Sequence, residues 1–303
     1  MICISAAIAP SQTSTVDRAA VTKAEMDALV TTQWLAGELD TPDLRILDAT
    51  WFLPADGRNA AAEFEARHIP GAAFSDTSAI PDRASPLPPM LPSADQFAAQ
   101  VGALGIGDGD RILLYDDSPH HTAARAWWMF RSFGIAAALL DGGLAKWKAE
   151  GRPLERGPAD LAPRTPTARF DPAGVRGLSQ VRANLDSHAE QLVDARATAR
   201  FNGSEPETRP GVTPGHIPGS ASIPQREFFN PDGTWKHPAT LRALFEAEGI
   251  EVERPVITTC GSGITAAVPA FALHLLGHRA ALYDGSWTEW GADPSTPKAT
   301  GAA

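Results

Sequence analysis

Of the 303 residues, 43% are apolar and 20% charged, enough for buried cores, and a chain of this length predicts about two domains. With 36 acidic and 26 basic residues the net charge is −10, which excludes a general nucleic-acid or anionic-membrane surface, because phosphates need a basic footprint. Two cysteines, Cys3 in a terminal tail and Cys260 in an apolar stretch, exclude a disulfide framework or a cysteine-rich zinc site.

In chain order, residues 1–23 read as a flexible lead. The first ten are mildly apolar, but no Lys or Arg precedes them, and nothing in the chain approaches 18 uninterrupted apolar residues. A soluble protein of the reducing cytoplasm is the expectation. A buried strand is predicted at Leu44–Asp48, followed by Ala49, and then comes the run Arg67, His68, Ile69, Pro70, Gly71, Ala72. Next are a strand at Arg111–Tyr115, a helical period over 122–133, a strand at Ala137–Leu140, the turn Asp141, Gly142, Gly143, and a helix over 144–149 carrying Trp147. Residues 151–177 hold Pro153, Pro158, Pro163, Pro166 and Pro172 with little periodicity, which suits an extended connector.

The same landmarks then recur in the same order and at nearly constant separation. Leu192, Val193, Asp194, Ala195 repeats the first run, Gly215, His216, Ile217, Pro218, Gly219, Ser220 the second, and Asp284, Gly285, Ser286 with Trp290 the third. Between them lie strands at Val256–Thr259 and Ala280–Tyr283 and a helical period over 264–276. The chain is a tandem duplication. Its expected units are 24–150 and 178–298, each an α/β domain with a mostly parallel sheet flanked by helices and with ligands at the carboxyl ends of its strands.

One loop carries chemistry. A buried strand delivers Cys260 to the glycine-rich turn Gly261, Ser262, Gly263, and a helix follows at once. That arrangement aims backbone N–H groups and a helix dipole at the sulfur, favouring thiolate, and the amides of Gly261, Gly263, Ile264 and Thr265 are expected to line the substrate site. A cysteine phosphatase needs an Arg six positions after the nucleophile, where this chain has Ala266. Acyl transfer needs a His base, and the loop has none. Sulfur transfer remains.

Over residues 24–297 the paired His-Ile-Pro-Gly signatures and the duplicated units resemble the tandem rhodanese-type sulfurtransferases, and Cys260-Gly-Ser-Gly-Ile-Thr265 is similar to the loop of the 3-mercaptopyruvate sulfurtransferases within that family. Thiosulfate-using rhodaneses tend to carry basic residues after the cysteine. The resemblance implies two rhodanese-like domains, the first catalytically silent with Asp116 where Cys260 sits. It implies that Arg200 and Arg209 grip the donor's carboxylate and carbonyl, with Arg196 structural, and that His68 joins Ser262 in a proton relay. Asn59 stands where the family often has an acidic residue supporting that relay. The implied reaction moves sulfane sulfur from 3-mercaptopyruvate through a Cys260 persulfide to cyanide or a thiol acceptor such as thioredoxin or glutathione, with no metal or organic cofactor. A thiosulfate:cyanide sulfurtransferase and a persulfide carrier without its own donor are the alternatives.

Other features are expected to be structural. His216 repeats the His68 motif and should bond a backbone carbonyl, adjacent His120 and His121 cannot converge on one metal, and Trp127, Trp128 and Phe130 should form interdomain core. No role is expected for Cys3.

Overall fold

A computed structural model describes residues 26–76, 87, 90–157 and 161–302. The expected lead over 1–23, with Cys3, and Pro158 of the connector lie outside the described residues. The first half forms β1 (Leu29–Val30), α1 (Thr32–Glu38), β2 (Leu44–Asp48), α2 (Ala60–Ala66), β3 (Ala72–Phe74), α3 (Ala94–Ala103), β4 (Arg111–Tyr115), α4 (Ala123–Ser132), β5 (Ala137–Leu140) and α5 (Gly143–Ala149). The second half repeats the series as β6 (Val175–Arg176), α6 (Leu178–Ser187), β7 (Gln191–Asp194), α7 (Thr198–Phe201), β8 (Ser220–Ser222), α8 (Pro238–Ala247), β9 (Val256–Thr259), α9 (Ala267–Leu275), β10 (Ala280–Tyr283) and α10 (Ser286–Ala292). Every strand pair is parallel, and the order β1-β5-β4-β2-β3 is matched by β6-β10-β9-β7-β8.

The central strands read as continuous apolar runs because both faces are covered. In β4, Ile112 and Leu114 point toward α3 and α4, while Leu113 and Tyr115 join Leu35, Phe64, Leu144 and Trp147 from α1, α2 and α5. Two boundaries differ from the sequence expectation. Val175 and Arg176, within the stretch read as connector, form a strand because they pair with Leu282 and Tyr283 of β10. The helix expected from 264 begins at Ala267, because the preceding residues are held in a loop where Gly263 has φ +78°.

The two domains meet through α4 and α9, and both helices are buried nearly all round because each is covered by its own sheet and by the other helix. Trp127 meets Phe271 edge-on at 4.8 Å, and Phe271 also packs on Trp235 at 4.8 Å, so Trp127 is interdomain core. Phe130 instead packs on Phe97 within its own domain. Pro269, early in α9, is tolerated where helical N–H groups have no intrahelical acceptor.

Polar contacts fix the docking. Asp141 Oδ1 accepts the N–H of Trp235 at 2.8 Å, and the matching Asp284 Oδ2 accepts the N–H of Leu91 at 2.8 Å, so each domain's Asp-Gly landmark holds the other domain's backbone. Arg125 of α4 adds a buried ion pair to Asp284, 2.7 Å long. Since one core runs through both halves, Trp127→Ala should lower stability by about 3–5 kcal/mol. Denaturant unfolding followed by fluorescence and circular dichroism should show both halves melting in one earlier transition; loss of the first domain alone would show that the cores are independent.

Candidate active site

The Cys260 loop is shaped by what binds its carbonyls. Trp287 and Thr288, in the first turn of α10, donate their N–H groups to the oxygens of Cys260 and Gly261 at 3.0 and 2.8 Å. Such first-turn amides have no intrahelical acceptor, so the loop satisfies them. On the other side Arg125, from the first domain, donates to the oxygen of Gly263 at 3.2 Å. In a trans peptide the C=O and the following N–H point in opposite directions, so pinning these three oxygens turns the N–H groups of Gly261, Ser262 and Ile264 the other way. Among the described residues, the N–H groups of Gly261, Ser262, Gly263, Ile264 and Thr265 are bonded to no acceptor. They are donors left free for an anion on the loop.

Two conformations support this arrangement. A Cβ on Gly263 would lie 2.6 Å from the oxygen of Asp284, and its φ of +78° suits glycine alone. Ser286 is held at φ +49°, a strain of roughly 1–3 kcal/mol. Its Oγ accepts the N–H of Cys260 at 3.2 Å and donates to the oxygen of Tyr283 at 2.8 Å, which anchors the base of the loop to β10. Cys260 is a free thiol, 1% exposed.

Three arginines surround the sulfur. Arg196 is fully buried, bonded through its Nε and one terminal nitrogen to Asp194, through the other to Glu207 Oε1 at 2.9 Å, and packed over the ring of Trp287. Glu207 uses its second oxygen to hold Arg200, whose guanidinium lies over Gly261, 3.4 Å from where a Cβ would stand. The Nε of Arg200 is buried without a hydrogen-bond partner. Arg209 donates to Thr288 Oγ1 at 2.9 Å; burial first, and the like charge of Arg200 second, lower its pKa from the ordinary value. Arg196 and Arg209 both interact electrostatically with Cys260. Three cations against Asp194 and Glu207 leave one positive charge in excess beside the thiol, which favours an anionic ligand or thiolate in a chain that is acidic overall.

The first domain keeps the frame of this loop and not its chemistry. Leu144 donates to the oxygen of Asp116 at 3.0 Å just as Trp287 does to that of Cys260. The Asp116 carboxylate accepts from the N–H groups of Ser118 at 3.0 Å and Ala123 at 2.7 Å, so the side chain itself occupies the amide donors. Burial pushes the Asp116 carboxyl up to about 7. Pro119 stands at the place of Gly263, and its ring forbids the left-handed turn that Gly263 makes.

His68 is not brought to Ser262. It precedes β3, at the amino end of the first sheet, whereas the Asp116 loop follows the carboxyl end of β4. Its ring stacks on Phe64 at 4.0 Å and its Nδ1 is bonded to the oxygen of Phe64 at 2.8 Å. Phe64 packs on the sheet face opposite α4, the helix that reaches the Cys260 loop. His216 makes the same pair of contacts with Phe201, so the repeated His-Ile-Pro-Gly motif ties the chain to its own helix in both domains. Asn59, expected beside the relay, is the N-cap of α2 and accepts from Ala62. Ser262 is half-buried on the loop. His120 and His121 diverge, one toward Asp56 and the other onto Phe229.

Sequence reasoning missed Glu207, Ser286, Thr288, Arg125 and Asp284. For the last there was a signal: the Asp-Gly landmark recurs in both copies, and an acidic residue kept at one place in a duplicated unit calls for a partner common to both.

A rhodanese-like domain is matched twice, over residues 31–150 and 178–293. The human 3-mercaptopyruvate sulfurtransferase is 45% identical over 271 residues, 87% of this chain and 91% of that one. The bovine thiosulfate sulfurtransferase is 42% identical over 87% of this chain and 91% of its own. The crystal structure of SseA, a 3-mercaptopyruvate sulfurtransferase of Escherichia coli, superposes with a TM-score of 0.78 at 38% identity, covering 86% of this chain and 99% of that one. With both halves matched and this identity held along most of its length, the chain belongs to the rhodanese family as a tandem, two-domain member.

Proposed function

We propose that this protein is a 3-mercaptopyruvate sulfurtransferase in which Cys260 is the nucleophile. The observation that carries the reading is the run of loop amides without acceptors directly after a buried free thiol, beside an excess positive charge. The Cys260 thiolate attacks the sulfur of 3-mercaptopyruvate, an S–S bond forms, and the C–S bond breaks with its electron pair left on the donor carbon as the pyruvate enolate. Protonation of that carbon releases pyruvate. The loop amides solvate the persulfide anion, and attack by an acceptor thiolate or cyanide on the outer sulfur returns Cys260 to thiolate.

In this reading Arg209 and Arg200 hold the donor's carboxylate and carbonyl, Gly261, Gly263, Ile264 and Thr265 line the site with their amides, and Ser262 passes the proton to the enolate. His68 has no part in it. The acceptor is a thiol such as thioredoxin or glutathione, and a reducing cytoplasm suits a nucleophile that must stay free. No helix among the described residues is long and apolar enough to cross a membrane.

The bovine relative favours a second donor, thiosulfate, and 42% identity to it does not separate the two. The loop itself does, because Gly261 to Thr265 adds no cation for a dianion. Comparing kcat/KM for the two donors on one sample decides between them, and a higher value for thiosulfate would overturn the assignment.

Incubation with 3-mercaptopyruvate and no acceptor should add the mass of one sulfur atom at Cys260, with pyruvate released in equal amount, and a thiol should restore the original mass. Intact-protein mass spectrometry reads this directly; an adduct retaining the donor's carbons, or labelling with no pyruvate, would sink the mechanism. Cys260→Ser should abolish transfer. A hydrogen bond to a charged group is worth roughly 1.5–3 kcal/mol, so Arg200→Ala and Arg209→Ala should each lower kcat/KM for the donor by about ten- to a hundredfold.

A further inference from the structure

Arg209 differs from the other two arginines at the site. Arg196 and Arg200 are both paired with carboxylates, whereas Arg209 has no carboxylate partner among the described residues. What holds it is the hydroxyl of Thr288, 2.9 Å away. That hydroxyl also donates to the oxygen of Gly261 at 2.6 Å. The direction of this chain is fixed by chemistry: a guanidinium can only donate, a carbonyl can only accept, and a hydroxyl has one hydrogen. Its proton therefore goes to Gly261 and its lone pairs face Arg209. Thr288 stands in the first turn of α10, where its backbone N–H reaches the same oxygen at 2.8 Å, and its branched β-carbon restricts the side chain to few rotamers.

We propose that Thr288 is a positioning residue that sets Arg209 in register with the sulfur-bearing loop and thereby governs affinity for the carboxylate of an α-keto acid donor. The inference rests on the reading of Arg209 as a donor ligand. Its logic is electrostatic. Arg209 is partly buried and repelled by Arg200, so it needs a tether, and a carboxylate tether would cancel the charge the donor must meet. A neutral hydroxyl orients the guanidinium and leaves its charge available. Because the other end of the tether is a carbonyl of the Cys260 loop, the distance between the bound carboxylate and the attacking sulfur is set by one side chain.

The test uses Thr288→Val, which keeps shape and removes the hydroxyl while the Thr288 backbone amide still satisfies Gly261. KM for 3-mercaptopyruvate should rise about five- to thirtyfold with kcat changed by less than about threefold, and Thr288→Ser should recover to within about threefold of the original enzyme. In an Arg209→Ala background the Thr288→Val exchange should add nothing. If Arg209→Ala itself leaves KM unchanged, the reading of Arg209 fails and this inference with it. If Arg209→Ala raises KM while Thr288→Val does not, or if Thr288→Val lowers kcat at constant KM, the positioning role is overturned and the reading of Arg209 stands. Thr288→Ala carries the same expectation should the valine variant not fold.

Discussion

The contact between Arg125 and Asp284 joins the two halves of the duplication at the point where the chemistry is done. Both side chains are 3% exposed, and the guanidinium also binds the oxygen of Gly263. A buried ion pair of this kind is weak support for stability, since desolvating two charges offsets most of their attraction. Its consequence is geometric. Asp284 occupies one side of Gly263 so closely that no β-carbon could be accommodated, Arg125 takes the carbonyl, and the peptide is left with one orientation. The first domain thus supplies, through Arg125, a contact to the Cys260 loop that the second domain does not make alone.

The asymmetry of the duplication follows from the same pair. Since α4 begins at Ala123 and α9 at Ala267, the residue equivalent to Arg125 is Pro269, which has no charge to offer in return. The second domain braces the first domain's loop with an uncharged side chain instead, Gln225 donating to the oxygen of Pro119 at 3.2 Å, and that loop differs in shape, with Pro119 in place of Gly263 and the left-handed backbone at His121. The symmetric contacts, Asp141 to Trp235 and Asp284 to Leu91, keep the domains docked, while the asymmetric one bears on the Cys260 loop.

How much of this was legible in the sequence depends on the range of the interaction. The duplication, the parallel sheets and the placement of Cys260 at a strand end all follow from local patterns: apolar runs such as Val256–Thr259, repeated landmarks, and a glycine-rich turn before a helix. The structure pairs His68 with Phe64 and makes no bond between it and Ser262; the motif around it is equally present at His216, and a feature that both copies share is first of all a folding feature. Its cause is local stacking of imidazole on Phe64 or Phe201. Arg125 and Thr288 were invisible for the opposite reason. Each acts across elements far apart in the chain, and nothing in a helix with the composition of α4 distinguishes an arginine that reaches a neighbouring domain from one that faces water.

The two loops share a frame and differ in the residue it presents. Each begins after a central strand with one residue, Asp116 or Cys260, whose carbonyl is held by the final helix of the domain. Where that residue is Asp116, two of the loop amides are bonded by its own carboxylate, and burial still leaves it so poorly solvated that its pKa rises to about 7. Two amides alone are thus an incomplete anion site. Beside the Cys260 loop stand Arg200 and Arg209, whereas in the first copy Thr50 replaces Arg196 and the cation that reaches the loop, Arg58, is paired with both Glu63 and Asp117. The Cys260 loop and the unneutralised cation beside it therefore form one unit: a cysteine placed at 116 would enter a loop shaped for a carboxylate, beside an Arg58 and a Lys148 already paired with Asp117.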